Sequence, residues 1–301
     1  MLKSWSVGSI PNQEGKTVIV TGGNSGIGFE ISRALAAKGA RVVLACRNSG
    51  MAESAAQRIR ELTPNSKIES VDLDLASLES VASAADQIVA RYPHLDLLVN
   101  NAGLMAVDFK RTVDGFETQI GVNHLGHFAL TLRLLPILSK TNESRVATMS
   151  SIGHRSGKID LVDLNYEHRK YRRWEAYFQS KLANLLFTSE LNKRLGSQNS
   201  GVKALSAHPG VARTDLGTEG SSLSNRLLSP NNPLVSQSAA NGALPALRAS
   251  TDPTAGGGDY YGPRWYFQGY PVLETPSHTA RNLTLASQFW GLSELLTSLR
   301  Y

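Results

Sequence analysis

Short apolar runs recur along the first two-thirds of the chain, each followed by a longer stretch with helical spacing. Thr17-Val18-Ile19-Val20 reads as a buried strand, followed by a glycine turn and an amphipathic helix ending near Gly39. Arg41-Val42-Val43-Leu44-Ala45 predicts a second strand, then a helix to about Leu62. Lys67 to Leu73, Leu97-Leu98-Val99, Arg145 to Met149 and Val202 to Ala207 predict the third to sixth strands. A further helix is expected from Trp174 to about Leu195. Strands separated by helices of this length imply right-handed crossovers, hence a doubly wound α/β architecture with a parallel sheet covered on both faces.

After Asp215 the regularity breaks. Gly217 to Pro233 is rich in Ser, Gly and Asn, with Leu223, Leu227 and Leu228 as apolar anchors. Such a segment reads either as a loop over a cleft or as a plain surface loop. Helical patterning resumes from Ser236 to Ala249, with Pro245 blurring its ends. The last helix, roughly Ser277 to Leu299, presents Ala280, Leu283, Ala286 and Trp290 toward the body. No repeat or linker divides the chain. One domain is expected over 1–301, with a core at 15–214, a substrate-loop region at about 215–250 and a packing C-terminal segment at 251–301.

Composition narrows the class. The 301 residues are 41% hydrophobic and 19% charged, ordinary values for a protein with a full core. A single cysteine, Cys46, excludes an internal disulfide and a cysteine-based zinc site, and suits a reducing compartment. The N-terminal stretch lacks an apolar core of signal-peptide length, and no uncharged apolar run reaches the ~18 residues a membrane span needs. A cytoplasmic location is therefore expected, without a transmembrane segment. The net charge of +6 raises the question of a polyanionic partner. The densest basic run, His168-Arg169-Lys170-Tyr171-Arg172-Arg173, is flanked by Glu167 and Glu175 and reads as a solvated loop or helix start. No nucleic-acid-binding motif surrounds it.

The candidate chemistry lies in three places. Thr21-Gly22-Gly23-Asn24-Ser25-Gly26-Ile27-Gly28 follows the first strand directly and opens a helix. Gly22, Gly26 and Gly28 suit a tight turn, close approach of a pyrophosphate and close helix–strand packing, with the helix N-terminus binding phosphate. The second strand ends in Cys46-Arg47, where NAD-binding proteins carry an acidic residue for the ribose hydroxyls. With no carboxylate to repel a 2′-phosphate and a guanidinium to bind one, NADP(H) is favoured over NAD(H). Tyr177 and Lys181 stand at i,i+4 on one helix face, so the ammonium is expected to favour the phenolate and lower its pKa. His124 and His127 sit three apart without a third ligand, and read as packing or hydrogen-bonded histidines; no metal site is expected.

Taken in order, these motifs resemble the short-chain dehydrogenase/reductase family, from about Gly15 to Thr214 and more loosely through Tyr261-Gly262-Pro263 to the last helix. Ala45-Cys46-Arg47-Asn48, Gly121 to Phe128, Ser180-Lys181-Leu182-Ala183-Asn184 and His208 to Thr214 look like its retinol-dehydrogenase-like branch. The resemblance implies a single-domain Rossmann fold with a doubly wound seven-stranded parallel sheet. It implies a cofactor site at Gly22, Asn24, Ser25, Gly26, Ile27, Gly28 and Arg47. Asp74 and Leu75 match the pair that contacts adenine. Asn101, Ala102 and Gly103, after Asn100, match the motif shaping the cleft, and Pro209, Gly210, Val211 and Thr214 the segment seating the nicotinamide. Asn123, Ser151, Tyr177 and Lys181 match the catalytic tetrad, with Asn123 holding a water that links Lys181 to solvent. Ser151 is carried over in preference to Ser150 as the second serine of its pair. One departure is the 26-position spacing from Ser151 to Tyr177, which contains the basic run.

The implied activity is NADP(H)-dependent interconversion of a lipophilic ketone or aldehyde and its alcohol. The alternative is a dinucleotide-binding regulator that senses NADP(H) without turnover. The partner is a small hydrophobic carbonyl or alcohol substrate; a homo-oligomer is admitted, and nothing in the sequence fixes the state.

Overall fold

A computed structural model describes residues 4–211 and 237–301. Eight strands form one sheet in the order β3-β2-β1-β4-β5-β6-β7-β8. They are β1 (Thr17–Thr21), β2 (Arg41–Cys46), β3 (Lys67–Asp72), β4 (Leu97–Asn100), β5 (Arg145–Met149), β6 (Lys203–Ala207), β7 (Tyr260–Pro263) and β8 (Pro271–Leu273). The helices are α1 (Gly26–Ala36), α2 (Ser49–Leu62), α3 (Leu78–Arg91), the single turn α4 (Thr118–Ile120), α5 (Gly126–Leu138), α6 (Arg173–Ser197), α7 (Ala239–Thr251) and α8 (Leu283–Thr297).

Side chains alternate across the sheet with the strand period of two. Val18 and Val20 of β1 pack with Leu35, Leu44 and Leu247 on one face, while Ile19 packs with Ile88, Leu98 and Phe128 on the other. All five residues of β1 are buried, as a strand covered by helices on both sides requires. Strand order reverses between β1 and β4, which pair in parallel through Ile19 and Leu98. Their carboxyl ends therefore open a crevice at the topological switch point, where ligands of such sheets bind.

The sheet differs from the seven parallel strands expected. β8 adds an eighth strand and runs antiparallel to β7, with Pro263 paired to Pro271. Three residues opening on a proline give no periodic signal, and proline is tolerated there because β8 is an edge. The other strands and helices lie within a few residues of their expected bounds, except that α8 begins at Leu283 rather than near Ser277, Thr279–Arg281 forming a separate 3₁₀ turn before its Asn282 cap. Pro245 sits inside α7, which begins three residues later than Ser236, a residue outside those described. The segment at 215–235 also lies outside them.

Candidate active site

At the switch point the chain turns from β1 into α1 with Gly22 at φ +61° and Gly26 at +50°. A Cβ on Gly28 would lie 2.2 Å from the Gly22 carbonyl oxygen and 2.6 Å from Asn101 Nδ2, so only glycine fits. Thr21 ties this turn to the end of β4. Its Oγ1 accepts from the Asn101 and Ala102 amides, each at 2.9 Å, and its hydroxyl donates to His127 Nε2 at 2.8 Å. His127 Nδ1–H then donates to the Asn123 carbonyl at 3.1 Å. That pattern requires neutral imidazole, and burial holds His127 down at about 4.

A cleft of about 350 Å³ runs along this crevice, lined by Gly22, Asn24 to Gly28, Arg47, Asp74, Leu75, Asn101 to Gly103, Tyr177, Lys181 and Pro209. Glycines that leave backbone N–H groups uncovered at a helix N-terminus make a cradle fitting the pyrophosphate of a dinucleotide. At its far end Cys46 is buried, its thiol pushed up to about 11, and Arg47 stands exposed at the rim. Arg47 has no ion-pair partner among the described residues. The Asp74 carboxylate accepts the Ala76 amide at 2.9 Å, which fixes the loop after β3.

The other end carries the phenol and ammonium. Tyr177 and Lys181 project from α6 into the same cleft, and Lys181 Nζ lies 5.8 Å from the Tyr177 ring centroid. The Ser151 side chain acts on the phenol, favouring its ionised form, and its Oγ accepts the Gly153 amide at 3.1 Å at the head of a 3₁₀ turn, Ile152–Ser156. Ser150 lines the cleft, but its hydroxyl is engaged, donating to the Lys181 carbonyl at 2.8 Å. The electrostatics differ from expectation. Burial raises the Tyr177 phenol above its ordinary value, and the Ser151 hydroxyl offsets that only in part. Burial also lowers Lys181 to about 8, and its ammonium donates to the Met149 carbonyl at 3.4 Å. In a site this dry, desolvation outweighs the neighbouring charge.

Asn123 lies on a π-helical turn, Gly121–Leu125, between α4 and α5. Its side chain clamps Leu104 by accepting the amide (2.7 Å) and donating to the carbonyl (3.0 Å), and it donates to Ser180 Oγ at 2.8 Å. Neither it nor Ser151 lines the cleft, and no hydrogen bond joins Asn123 to Lys181. Gly210 and Val211 also lie off the lining; Gly210 has φ +66°, and the Val211 amide donates to Phe267 O at 2.9 Å. Thr214 lies outside the described residues. The lining residues not among the predicted site residues include Asn48, Met51, Leu73, Leu104, Val122, Met149 and Ser150. Asn48, Leu73, Leu104, Val122 and Ser150 lie next to a predicted site residue or its strand end, whereas Met51 and Met149 do not adjoin one.

The basic run is engaged rather than free. Arg169 lies over the Tyr166 ring at 3.7 Å and donates to Gln179 at 2.6 Å, and Arg173 pairs with Asp108. His124 is packed among Phe128, Phe187 and Phe289 and bonds Ser293 at 2.8 Å. Among the described residues no helix is long and apolar enough to cross a membrane, and no cluster of metal-binding side chains occurs.

Sheet, switch-point cleft and glycine cradle together define a dinucleotide-binding α/β protein. The profile of the short chain dehydrogenases matches residues 16–223. Human retinol dehydrogenase 13 is 43% identical over 289 residues, covering 95% of this chain and 85% of that protein. Human retinol dehydrogenase 12 is 41% identical over 289 residues, covering 95% and 88%. Among solved structures, an uncharacterised protein from Mycobacterium paratuberculosis matches with a TM-score of 0.84 at 41% identity, covering 99% of both chains. A short chain dehydrogenase from Shigella flexneri complexed with NADP matches with a TM-score of 0.65 at 25% identity, covering 83% of this chain and 98% of that one. The chain belongs to the short-chain dehydrogenase/reductase family, in its retinol-dehydrogenase-like branch. Its chemistry is accordingly oxidoreduction between an alcohol and a carbonyl, with NAD(P)(H) as the cofactor type.

Proposed function

We propose that the protein interconverts a lipophilic ketone or aldehyde and its alcohol, using NADP(H), with Tyr177 as general acid and base. The observation that carries this reading is the pair of Tyr177 and Lys181 lining the same cleft one helical turn apart on α6, with the ammonium 5.8 Å from the phenol ring centroid. The bound nicotinamide supplies or takes the hydride. Tyr177 gives its phenolic proton to the carbonyl oxygen in reduction and recovers it in oxidation. Ser151 donates a hydrogen bond to the same oxygen as charge develops on it, a contribution of about 10²–10³ in rate for comparable donors. Lys181, held in the cleft by the Met149 carbonyl, would engage the ribose and keep positive charge beside the phenol. Asn123 positions Leu104 and Ser180, the neighbour of Lys181, and so shapes the wall of the site.

NADP(H) is supported by Arg47 at the rim and by the lack of a carboxylate at Cys46. The neighbours solved with NADP and NADPH point the same way. A lipophilic substrate is supported by the retinol dehydrogenases among the relatives and by Leu104, Val122 and Met149 in the lining. In a Tyr177→Phe variant we expect kcat to fall by about 10³ or more, while NADPH binding is retained. Loss of NADPH binding together with turnover would instead make Tyr177 a structural residue. Tight NADPH binding by the wild type, with no oxidation across a broad carbonyl panel, would favour a sensor.

A further inference from the structure

A second cavity, of about 520 Å³, opens between the 3₁₀ turn Ile152–Ser156 and the residues around and beyond β8. Arg155, Arg264, Arg281 and His278 line it, against one carboxylate, Glu274. That carboxylate is engaged at one oxygen: Oε1 accepts from His208 Nε2 at 3.1 Å, while Oε2 has no hydrogen-bond partner among the described residues and stands 4.0 Å from Arg155. Arg155 also donates to the Thr275 carbonyl at 3.1 Å and lies over the Tyr266 ring at 5.6 Å. The guanidinium groups of Arg264 and Arg281 have no hydrogen-bond or ion-pair partner among the described residues. Three guanidinium groups facing one concavity concentrate positive potential there. Their planar forks match the oxygens of a carboxylate or phosphate. Val272 and Pro276 add apolar wall beside them.

The cavity is tied to the catalytic end of the cleft. The Ser277 amide in its wall donates to His154 Nε2 at 3.2 Å, and His154 Nδ1–H donates to the Ser151 carbonyl at 2.7 Å. Arg155 stands four residues beyond Ser151 on the same tight turn, about 8 Å at a 3₁₀ rise of about 2 Å per residue. We propose that this cavity binds an oxyanion, a carboxylate or phosphate, through Arg264 and Arg281, beside the site of alcohol–carbonyl chemistry. The anion is either the acidic end of the substrate itself or a separate small anion.

Two arms distinguish these sources, using the full chain and an R264Q/R281Q variant; neither residue touches the catalytic groups. In the first, which rests on the oxidoreductase reading, aldehydes of equal length ending in a carboxylate or its methyl ester are compared with NADPH. A substrate-borne anion predicts a KM about tenfold lower for the acid in the wild type. That difference should vanish in the variant while kcat on the ester stays unchanged. The second arm is independent of turnover. With NADPH saturating the cofactor cradle, inorganic phosphate titrated at constant ionic strength against chloride should raise the wild-type Tm saturably and leave the variant unmoved; that result without an acid preference assigns a free anion. Matching Tm values in chloride establish that the variant is folded, and R264K/R281K, which keeps charge but not the fork, replaces it otherwise. An absence of acid preference together with phosphate effects shared by wild type and variant overturns the proposal. If no aldehyde is turned over, the phosphate arm alone decides it, and the oxidoreductase reading fails separately.

Discussion

At the nucleotide end of the cleft, position is set by main chain. Gly22 adopts φ +61°, Gly28 has no room for a Cβ, and the Asn101 and Ala102 amides converge on a single threonine hydroxyl. At the opposite end, position is set by side chains carried on turns. Ser151 heads a 3₁₀ turn, His154 joins it to Ser277, and Trp265, Tyr266 and Phe267 stand exposed on the turn between β7 and β8. The first arrangement suits a group with the same shape in every catalytic cycle, since backbone amides recognise phosphate whatever the neighbouring side chains are. The second suits a substrate, because side chains on turns can be exchanged without disturbing the sheet. Each end nevertheless contains one buried neutral histidine as a strut, His127 at the first and His154 at the second.

The largest effect expected from this contrast is at glycine. In Gly28→Ala the new methyl meets the Gly22 carbonyl and the Asn101 amide, neither of which can retreat. We expect a loss of about 3 kcal/mol or more, the upper end of overpacking costs, with NADPH binding abolished. In Gly153→Ala at the other end, the Cβ would lie 2.6 Å from Phe178 Cδ1, a ring that can swing aside. There the cost should be about 1 kcal/mol. Urea unfolding of both variants measures the difference, and equal losses would remove the distinction between backbone-built and side-chain-built ends.

The histidine struts predict acid sensitivity at both ends. Burial lowers His127 and His154 to about 4, below the ordinary value of 6.5. Below pH 6.5 the unfolded chain takes up protons that the folded chain refuses, so stability falls as pH drops from 6.5 toward 4. Each contributes up to about 3 kcal/mol across that window. His154→Gln, whose amide can donate to Ser151 and accept from Ser277, should lower the slope of stability against pH there. An unchanged slope would mean that His154 is already charged in the folded protein. His124, held at about 3 by burial, adds to the same slope from the α8 contact and should leave the two struts distinguishable only by mutation.

How much of this was legible in the sequence follows the same division. The glycine turn, Asn101 to Gly103 and the Tyr177–Lys181 pair are local patterns, so their spacing carries their geometry. The parallel sheet was legible because its inner strands are buried on both faces and mostly apolar, whereas the edge strand β3 alternates exposed and buried residues. β8 was not, because an edge strand of three residues needs no apolar period and admits proline. The clamp from Asn123 to Leu104 and Ser180 depends on a π-helical turn, which no spacing announces. The sign of the Tyr177 shift was also hidden, since it depends on how dry the site is. Least legible was the second cavity, whose arginines at 155, 264 and 281 come together only through the β7–β8 turn and the chain leading to α8.

The smallest predicted effect concerns Arg47, the exposed side chain at the rim of an otherwise backbone-built cradle. Main-chain amides recognise the pyrophosphate of NADP(H) and NAD(H) alike, so discrimination must come from a group that reaches the 2′ position. Cys46 is buried and un-ionised at neutral pH, which leaves the Arg47 guanidinium at the cleft's far end. In Arg47→Ala we expect NADPH affinity to fall about tenfold with NADH affinity unchanged, the worth of one charge-assisted contact. Because Arg47 is exposed, added salt should shrink the wild-type preference toward that of the variant. Fluorescence titration with both nucleotides at two ionic strengths measures each quantity. A preference that survives the mutation and ignores salt would move discrimination off the side chain and into the cradle itself, breaking the contrast between a generic end and a selective one.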